Sequence, residues 1–548
     1  MSTSGRFPRE LITKDNIGFS TSRTTIETAF YGNNVKKVMD LKDAYRLAKK
    51  SPGTIALDMP VYRPEEIGLP ESAHILLFND GETVGRFAGA RIILGEKGVS
   101  EDEIAPILRE AVYKTRYKTM LHTACYIGLD KDFMVKANLL IPEAYENTLY
   151  NWLLNFQHVT ELYAEMYRDS APLGTEPDIG IFSDPDWTDP RYPNGLAYFD
   201  PEHNCAALLG LRYFGEHKKG TLTIAWSIAN RNGYASCHGG LKRMVRNDGK
   251  KHVMGVFGLS GSGKSTLTHA KHGGKYEVTV LHDDAYIIST ANGSSVALEP
   301  SYFDKTQDYP LTSPDNKYLI TMQNCGATID NEGKIVPVTE DIRNGNGRAI
   351  KSKLWAANRV DKMEEPVNTI VWLMKDHTLP PVIRVDDPVL ASVMGACLAT
   401  KRTTAEKILV GTDKDALVFE PYANPFRTYA LQEDYNKFKA LFKERDVTCY
   451  IINTGHFLEK KIPKEVTIGI IEHIVDETAE WKAFGSFPGI MTMDVEGFQP
   501  DFQDPEYMEL LHNSIDNRIR YVESLKEFKG GRDVLPEEAL SALQSLLK

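Results

Sequence analysis

Residues 252–270 read His252-Val-Met-Gly-Val-Phe-Gly258-Leu259-Ser260-Gly261-Ser262-Gly263-Lys264-Ser265-Thr266-Leu-Thr-His-Ala270. The first six form a compact, mostly apolar run bounded by polar residues and predict a strand, and the last six can begin a helix. Between them lies Gly-x-x-x-x-Gly-Lys-Ser. Glycines at this spacing let consecutive backbone N–H groups turn inward around phosphate oxygens. Lys264 is placed to neutralise β/γ-phosphate charge, and the Ser265 hydroxyl to ligate Mg2+. The strand–loop–helix setting separates this pattern from an idle glycine-rich turn. Gly258 to Thr266 are therefore the expected nucleotide-binding residues, with ATP the working ligand. Such a loop does not read the base, so GTP stays open.

Just past the strand-like Tyr276-Glu-Val-Thr-Val-Leu-His282 stand Asp283 and Asp284. Two carboxylates at a strand's C-terminal end, beside a phosphate loop, suit a divalent metal held directly or through water. An acidic turn or helix cap is the other reading. Further compact apolar runs at 368–374 and 447–453 predict strands, and the periodic stretches 505–528 and 536–548 predict surface helices. Upstream, 74–78 and 90–95 read as strands and 101–115 and 146–156 as helices, with a loop-rich stretch from Asp169 to His203. Thr221 to Ala229, Thr-Leu-Thr-Ile-Ala-Trp-Ser-Ile-Ala, is a continuous apolar run that reads as a buried strand, a pattern a buried helix shares. The whole predicts a mixed α/β protein of two lobes, residues 1–240 and 241–548, with the glycine loop in the second.

The 548 residues are 42% hydrophobic and 25% charged, enough apolar material for a large core. Lys and Arg number 64 against 75 Asp and Glu, a net charge of -11, which disfavours nucleic acid or an anionic membrane as a partner. No run of 18 apolar residues is present and the first twenty hold no apolar signal core, so a cytoplasmic protein acting on a small molecule is expected. Six cysteines without Cys-x-x-Cys spacing suggest neither a disulfide framework nor a structural zinc site. Oligomeric state is not legible here.

Upstream of the loop, Tyr213-Phe-Gly-Glu-His-Lys218-Lys219-Gly is followed by Ala235-Ser-Cys-His238. Singly, these read as a surface lysine pair and a structural histidine. In order with the glycine loop and Asp283-Asp284, they resemble the ATP-dependent phosphoenolpyruvate carboxykinase family. There a double-lysine segment, a Ser-x-His segment, the kinase-1 loop and an Asp-Asp segment succeed one another. Glu299 with Lys305-Thr306 looks like the family's E-x5-K-T stretch, and Asn358-Arg359 resembles its N-x-R segment without the middle residue. Leu379-Pro-Pro-Val382 and Asn453-Thr454-Gly455 follow strands as in the family.

The resemblance implies a two-lobed fold with the site in the cleft between lobes. It implies Mn2+ held by Lys219, His238 and Asp284, with Asp283 and the Mg2+ ligand Ser265 nearby. A metal-bound lysine must be neutral although a free one titrates near ~10.4, so burial and the cation must favour the amine. The implied reaction is oxaloacetate plus ATP giving phosphoenolpyruvate, CO2 and ADP. Lys264, Lys305 and Arg359 would spread positive charge over the transferring phosphoryl group, while Arg86, Tyr213 and Arg359 would face the substrate. Several stretches depart from the family. Gly85-Arg86-Phe-Ala-Gly-Ala-Arg91 keeps two residues of G-R-S-P-K-D-K, Gly239-Gly240-Leu-Lys242 stands where the family continues C-S-A-N after its Ser-x-His segment, and Met394 to Arg402 replaces S-G-[FY]-T-A-K, leaving Lys401 or Arg402 as nucleotide candidates. These departures keep two alternatives open: a small-molecule kinase of the same fold acting on another polar or carboxylated metabolite, and a nucleotide sensor without turnover.

Overall fold

The computed structural model describes residues 7–16, 18–79, 85–174, 176–259, 261–306, 309–340, 347–401 and 417–548. They fall into two compact units: 7–228 with 298–357, and 229–297 with 358–401 and 417–548. The division is not the contiguous one expected at 240/241. The chain leaves the first unit after Ile228 and returns for 298–357 because the strands there complete a sheet begun much earlier. Tyr302–Lys305, Arg348–Lys351 and Leu319–Gln323 join His74–Phe78 and Ile55–Pro60 in five strands, Leu319–Gln323 lying parallel to His74–Phe78.

The first unit's main sheet runs Val35–Lys37, β1 (Met120–Asp130), β2 (Phe133–Pro142), β3 (Ile179–Asp184), β5 (Cys205–Leu209), β4 (Leu196–Asp200) and Arg91–Ile93. β3 and β4 lie inside the stretch expected to be loop. Each is short and fully buried, so neither shows the alternation that marks a half-exposed strand. After β5 comes α1 (Phe214–Arg231), and the expected strand at Thr221–Ala229 lies within this helix. From Phe214 to Asn230 every residue but Lys219 is buried, so the sequence carries no polar stripe at helical spacing. Its hydroxyls are satisfied locally: Trp152 Nε1 donates to Thr221 Oγ1 at 2.9 Å, and that hydroxyl donates to the His217 carbonyl at 2.8 Å.

The second unit is built on one large sheet. Its centre runs β9 (Ala285–Ser289), β6 (Tyr234–Val245), β7 (Lys251–Phe257), β10 (Thr369–Met374), β12 (Thr448–Asn453) and β11 (Val382–Val385). β8 (Glu277–His282) also pairs with β6. β7, β10 and β12 are parallel neighbours and read as unbroken apolar runs because helices cover such strands on both faces. α2 (Lys264–His269) follows β7; α3 (Leu431–Glu444), α4 (Lys464–Val475) and α5 (Pro505–Ser524) come later. The Gly239-Gly240 pair that departs from the family pattern sits where α2 packs on β6. A Cβ on Gly240 would stand 1.9 Å from Thr268 Oγ1, so the helix can lie this close only over glycine. Among the described residues no helix is long and apolar enough to cross a membrane. All six cysteines are buried and none forms a disulfide.

Candidate active site

The glycine loop connects β7 to α2. Gly261 and Gly263 take φ of 80° and 92°, left-handed values that disfavour side chains, and Gly263 caps α2. Gly258 is needed for a different reason: a Cβ there would stand 2.3 Å from Ser262 Oγ. Ser260 lies outside the described residues. Lys264 is 8% exposed, whereas Ser265 and Thr266 are exposed. The Ser262 hydroxyl is buried without a hydrogen-bond partner among the described residues. Beside the loop opens a cavity of about 520 Å3 lined by Gly261, Ser262, Gly263, Thr454, Lys461 and Thr467 among others.

β6 carries His238 to the same loop, and Asp284 arrives at the turn between β8 and β9. The backbone sets both: His238 pairs with Ala285 across β6 and β9, the Gly239 N–H donates to the Asp284 carbonyl at 3.1 Å, and the Asp284 N–H donates to His282 Nδ1 at 3.1 Å. His238 Nε2 then lies 3.0 Å from Asp284 Oδ1, and Lys264 Nζ lies 3.9 Å from the same oxygen. His238 Nδ1 faces the Ala423 carbonyl at 2.5 Å, and because a carbonyl only accepts, Nδ1 carries the hydrogen. In neutral His238 the Nε2 lone pair consequently faces a carboxylate, an arrangement that calls for a proton or a cation between them. An imidazole braced through Nδ1–H on a carbonyl is the geometry metal-binding histidines adopt.

Asp283, one residue earlier, points Oδ2 at His269 Nε2, 3.4 Å away. Burial alone would raise its carboxyl. The hydrogen bond and charge of His269, with His282 and Lys264, outweigh burial and hold it well below the usual carboxylate range. The sequence pair thus divides: Asp284 meets His238 and Lys264, while Asp283 anchors α2.

Behind the loop lies an arrangement the sequence did not signal. Fully buried Lys242 on β6 donates to the Leu267 carbonyl of α2 at 2.6 Å and contacts His272 Nε2 at 2.8 Å; His272 Nδ1 is 3.0 Å from Glu472 of α4. Burial pulls the Lys242 ammonium down to about 7 against the opposing charge of Glu472. Leu267 and the first turn of α4 both line the 520 Å3 cavity, so this strut braces two of its walls.

The remaining candidates belong to the first unit, apart from Arg359 and Lys401. Lys218 is buried 2.9 Å from Glu299 Oε1, and Asn155 donates to the other Glu299 oxygen at 2.6 Å. Lys219, the half-buried residue of α1, sets Nζ 5.6 Å from the Trp226 ring centroid. Arg86 is buried, and its charge is felt by Arg91, whose guanidinium lies 3.4 Å from Glu216. Burial lowers Arg91 to about 10, Glu216 opposing and Arg86 adding to the shift. Tyr213 accepts a hydrogen bond from Arg348 Nε at 3.0 Å. Arg348 pairs with Lys305 across their strands, which puts both side chains on one face. Arg348 was missed by sequence reasoning although Asn346-Gly347-Arg348 is a full N-x-R match. The incomplete match chosen instead, Arg359, lies in the second unit as an ion pair with Asp361 at 2.7 Å. Arg402 lies outside the described residues.

A mixed α/β protein in which a glycine-rich loop between strand and helix brings its lysine close to an aspartate that also meets a histidine defines the class. Within that class, the family described as phosphoenolpyruvate carboxykinase matches residues 91–496, well over half of the chain, and the chain belongs to it. The phosphoenolpyruvate carboxykinase (ATP) of Aeropyrum pernix is 28% identical over 306 residues, 54% of this chain and 60% of that protein. The protein of the same name from Dictyostelium discoideum is 30% identical over 148 residues, 26% of this chain and 24% of the relative. A glycosomal phosphoenolpyruvate carboxykinase (ATP) of Trypanosoma cruzi is 27% identical over 164 residues, 27% and 30% of the two chains. The chain thus spans less than two thirds of each of these relatives.

Proposed function

We propose that this chain converts oxaloacetate and ATP to phosphoenolpyruvate, CO2 and ADP. The observation that carries the proposal is the convergence of His238 Nε2 and Lys264 Nζ on Asp284 Oδ1, at 3.0 and 3.9 Å, beside the glycine loop. Family membership and the names of its relatives support the same reaction.

The imidazole of His238 and the carboxylate of Asp284 are donors that suit Mn2+. Bound there, the cation would supply Lewis acidity toward an oxygen gaining negative charge. The chain's own groups do the rest. Loop N–H groups, the unsatisfied Ser262 hydroxyl and Lys264 hold the triphosphate, and the exposed Ser265 hydroxyl reaches its Mg2+. The cavity walled by Thr454, Lys461 and Thr467 takes the nucleoside. We give Arg348, braced by Tyr213, the substrate role first assigned to Arg359, with Lys305 on the same face for the transferring phosphoryl group and Arg86 for a carboxylate. No protein nucleophile is required: loss of CO2 leaves an enolate whose oxygen attacks the γ-phosphorus in line, and positioning with charge carries the rate.

Purified protein with oxaloacetate, ATP and Mn2+ tests this directly by the appearance of phosphoenolpyruvate. Nucleotide binding without phosphoenolpyruvate under any metal condition overturns it, and ATP consumption with other small acids then identifies a kinase of different acceptor.

A further inference from the structure

The first unit holds a second cavity, of about 380 Å3, between the helix Thr21–Ala29 and its main sheet. Its floor follows from strand register. Lys37 pairs with His122, and His122 on β1 shares a face with Lys136 and Asn138 on β2 because alternate residues of paired strands project together. Four polar side chains from three strands therefore meet beneath Ile26 and Phe30, the latter edge-on to the His122 ring at 5.1 Å.

The charges around this floor are unevenly matched. Glu27 is 3.1 Å from Arg23 and accepts from the Tyr31 hydroxyl at 2.7 Å. Asp178 accepts from the Tyr167 hydroxyl at 3.3 Å. Both carboxylates of the cavity wall are thus engaged, whereas the ammonium groups of Lys37 and Lys136 pair with no carboxylate among the described residues. The His122 ring is fixed as well. Asn138 donates through its NH2 to the Ile179 carbonyl at 3.4 Å, so its oxygen, 3.1 Å from His122 Nε2, accepts from that nitrogen. His122 Nδ1 is left buried with no partner among the described residues.

We propose that this cavity is a second ligand site, separate from the glycine loop. It takes a small oxyanion, carboxylate or phosphate, between Lys37 and Lys136, with His122 donating from Nδ1 once that nitrogen has taken a proton from solvent. The ligand's apolar part lies against Ile26 and Phe30. Binding is consequently linked to one proton. In the empty site burial, then the charges of Lys136 and Lys37, hold His122 below its ordinary value, so it is neutral at neutral pH; the hydrogen bond to Asn138 opposes them. An anion lying between the lysines reverses their effect and raises it. Affinity is therefore greatest at low pH and declines as pH rises through the raised value of the liganded site.

Full-length protein labelled in its histidine rings tests this, with the His122 resonance identified by its loss in His122→Asn. Inorganic phosphate and benzoate are titrated separately at about pH 6 and about pH 8. The expected result is a saturable shift of that resonance with at least one probe, about tenfold tighter at the lower pH, and absent from Lys37→Met/Lys136→Met protein that melts at the wild-type temperature. Response to phosphate alone assigns a phosphorylated ligand, and response to benzoate alone a carboxylate with an apolar body. No saturable shift with either probe up to about 10 mM, or a shift that survives in the double variant, overturns the proposal.

Discussion

In the second unit Lys264 stands 3.9 Å from Asp284, and its neighbour Gly263 lines the 520 Å3 cavity. In the first, Lys218 lies 2.9 Å from Glu299 with both side chains shut away from water, and Arg91 lies 3.4 Å from Glu216 in the same condition. The dry cations are each matched to a buried carboxylate, that of Glu299 held further by Asn155, so their positions are set before any ligand arrives. The loop lysine is held loosely by one acid and can be handed to a triphosphate. Removing a dry partner should therefore cost stability, and removing the loop lysine should cost turnover.

The largest effect expected on this contrast is Lys264→Ala, which should lower kcat about 10^4-fold while the denaturation midpoint hardly moves; equal losses in both would erase the distinction. Glu299→Gln leaves Lys218 buried without its carboxylate and should destabilise the protein by about 3 kcal/mol, read by urea denaturation. The strut behind the loop offers a pH test. Lys242 titrates lower folded than unfolded, so between about pH 7 and about pH 10 the unfolded chain binds the extra proton and stability rises, by up to about 1.4 kcal/mol per pH unit. Lys242→Met should flatten that rise relative to wild type, checked by denaturation at several pH values. Tyr213→Phe, the mildest, removes one brace on Arg348 and should raise KM for the acid substrate by about tenfold with kcat nearly unchanged, as steady-state kinetics would report.

The same contrast explains what could be read from the chain. The glycine loop, β7, β8, β10 and β12 were legible because each is a local pattern: a fixed glycine spacing, or a short apolar run between polar residues. Helix α1 was not, since burial on every side erased the polar stripe that separates helix from strand. Lys242, His272 and Glu472 meet across sequence separations of 30 and 200 residues, and no local pattern announces such a meeting. Arg348 was legible and passed over. Its segment keeps the full N-x-R spacing, but only the pairing of its strand with Tyr302–Lys305 shows that it shares a face with Lys305. Asp283 and Asp284 are indistinguishable as letters and part company only in the turn after β8.

The six sequestered cysteines have a practical consequence. Burial raises the thiols of Cys125, Cys205 and Cys237 well above their ordinary value and that of Cys397 to about 12, so none of these four offers a thiolate while its surroundings stay closed. Cys125, Cys205 and Cys325 belong to one unit and Cys237, Cys397 and Cys449 to the other. Alkylation by a maleimide dye, followed by mass spectrometry of the tagged peptides, would then serve as a pair of built-in clocks, each timing how often its own half of the chain breathes open.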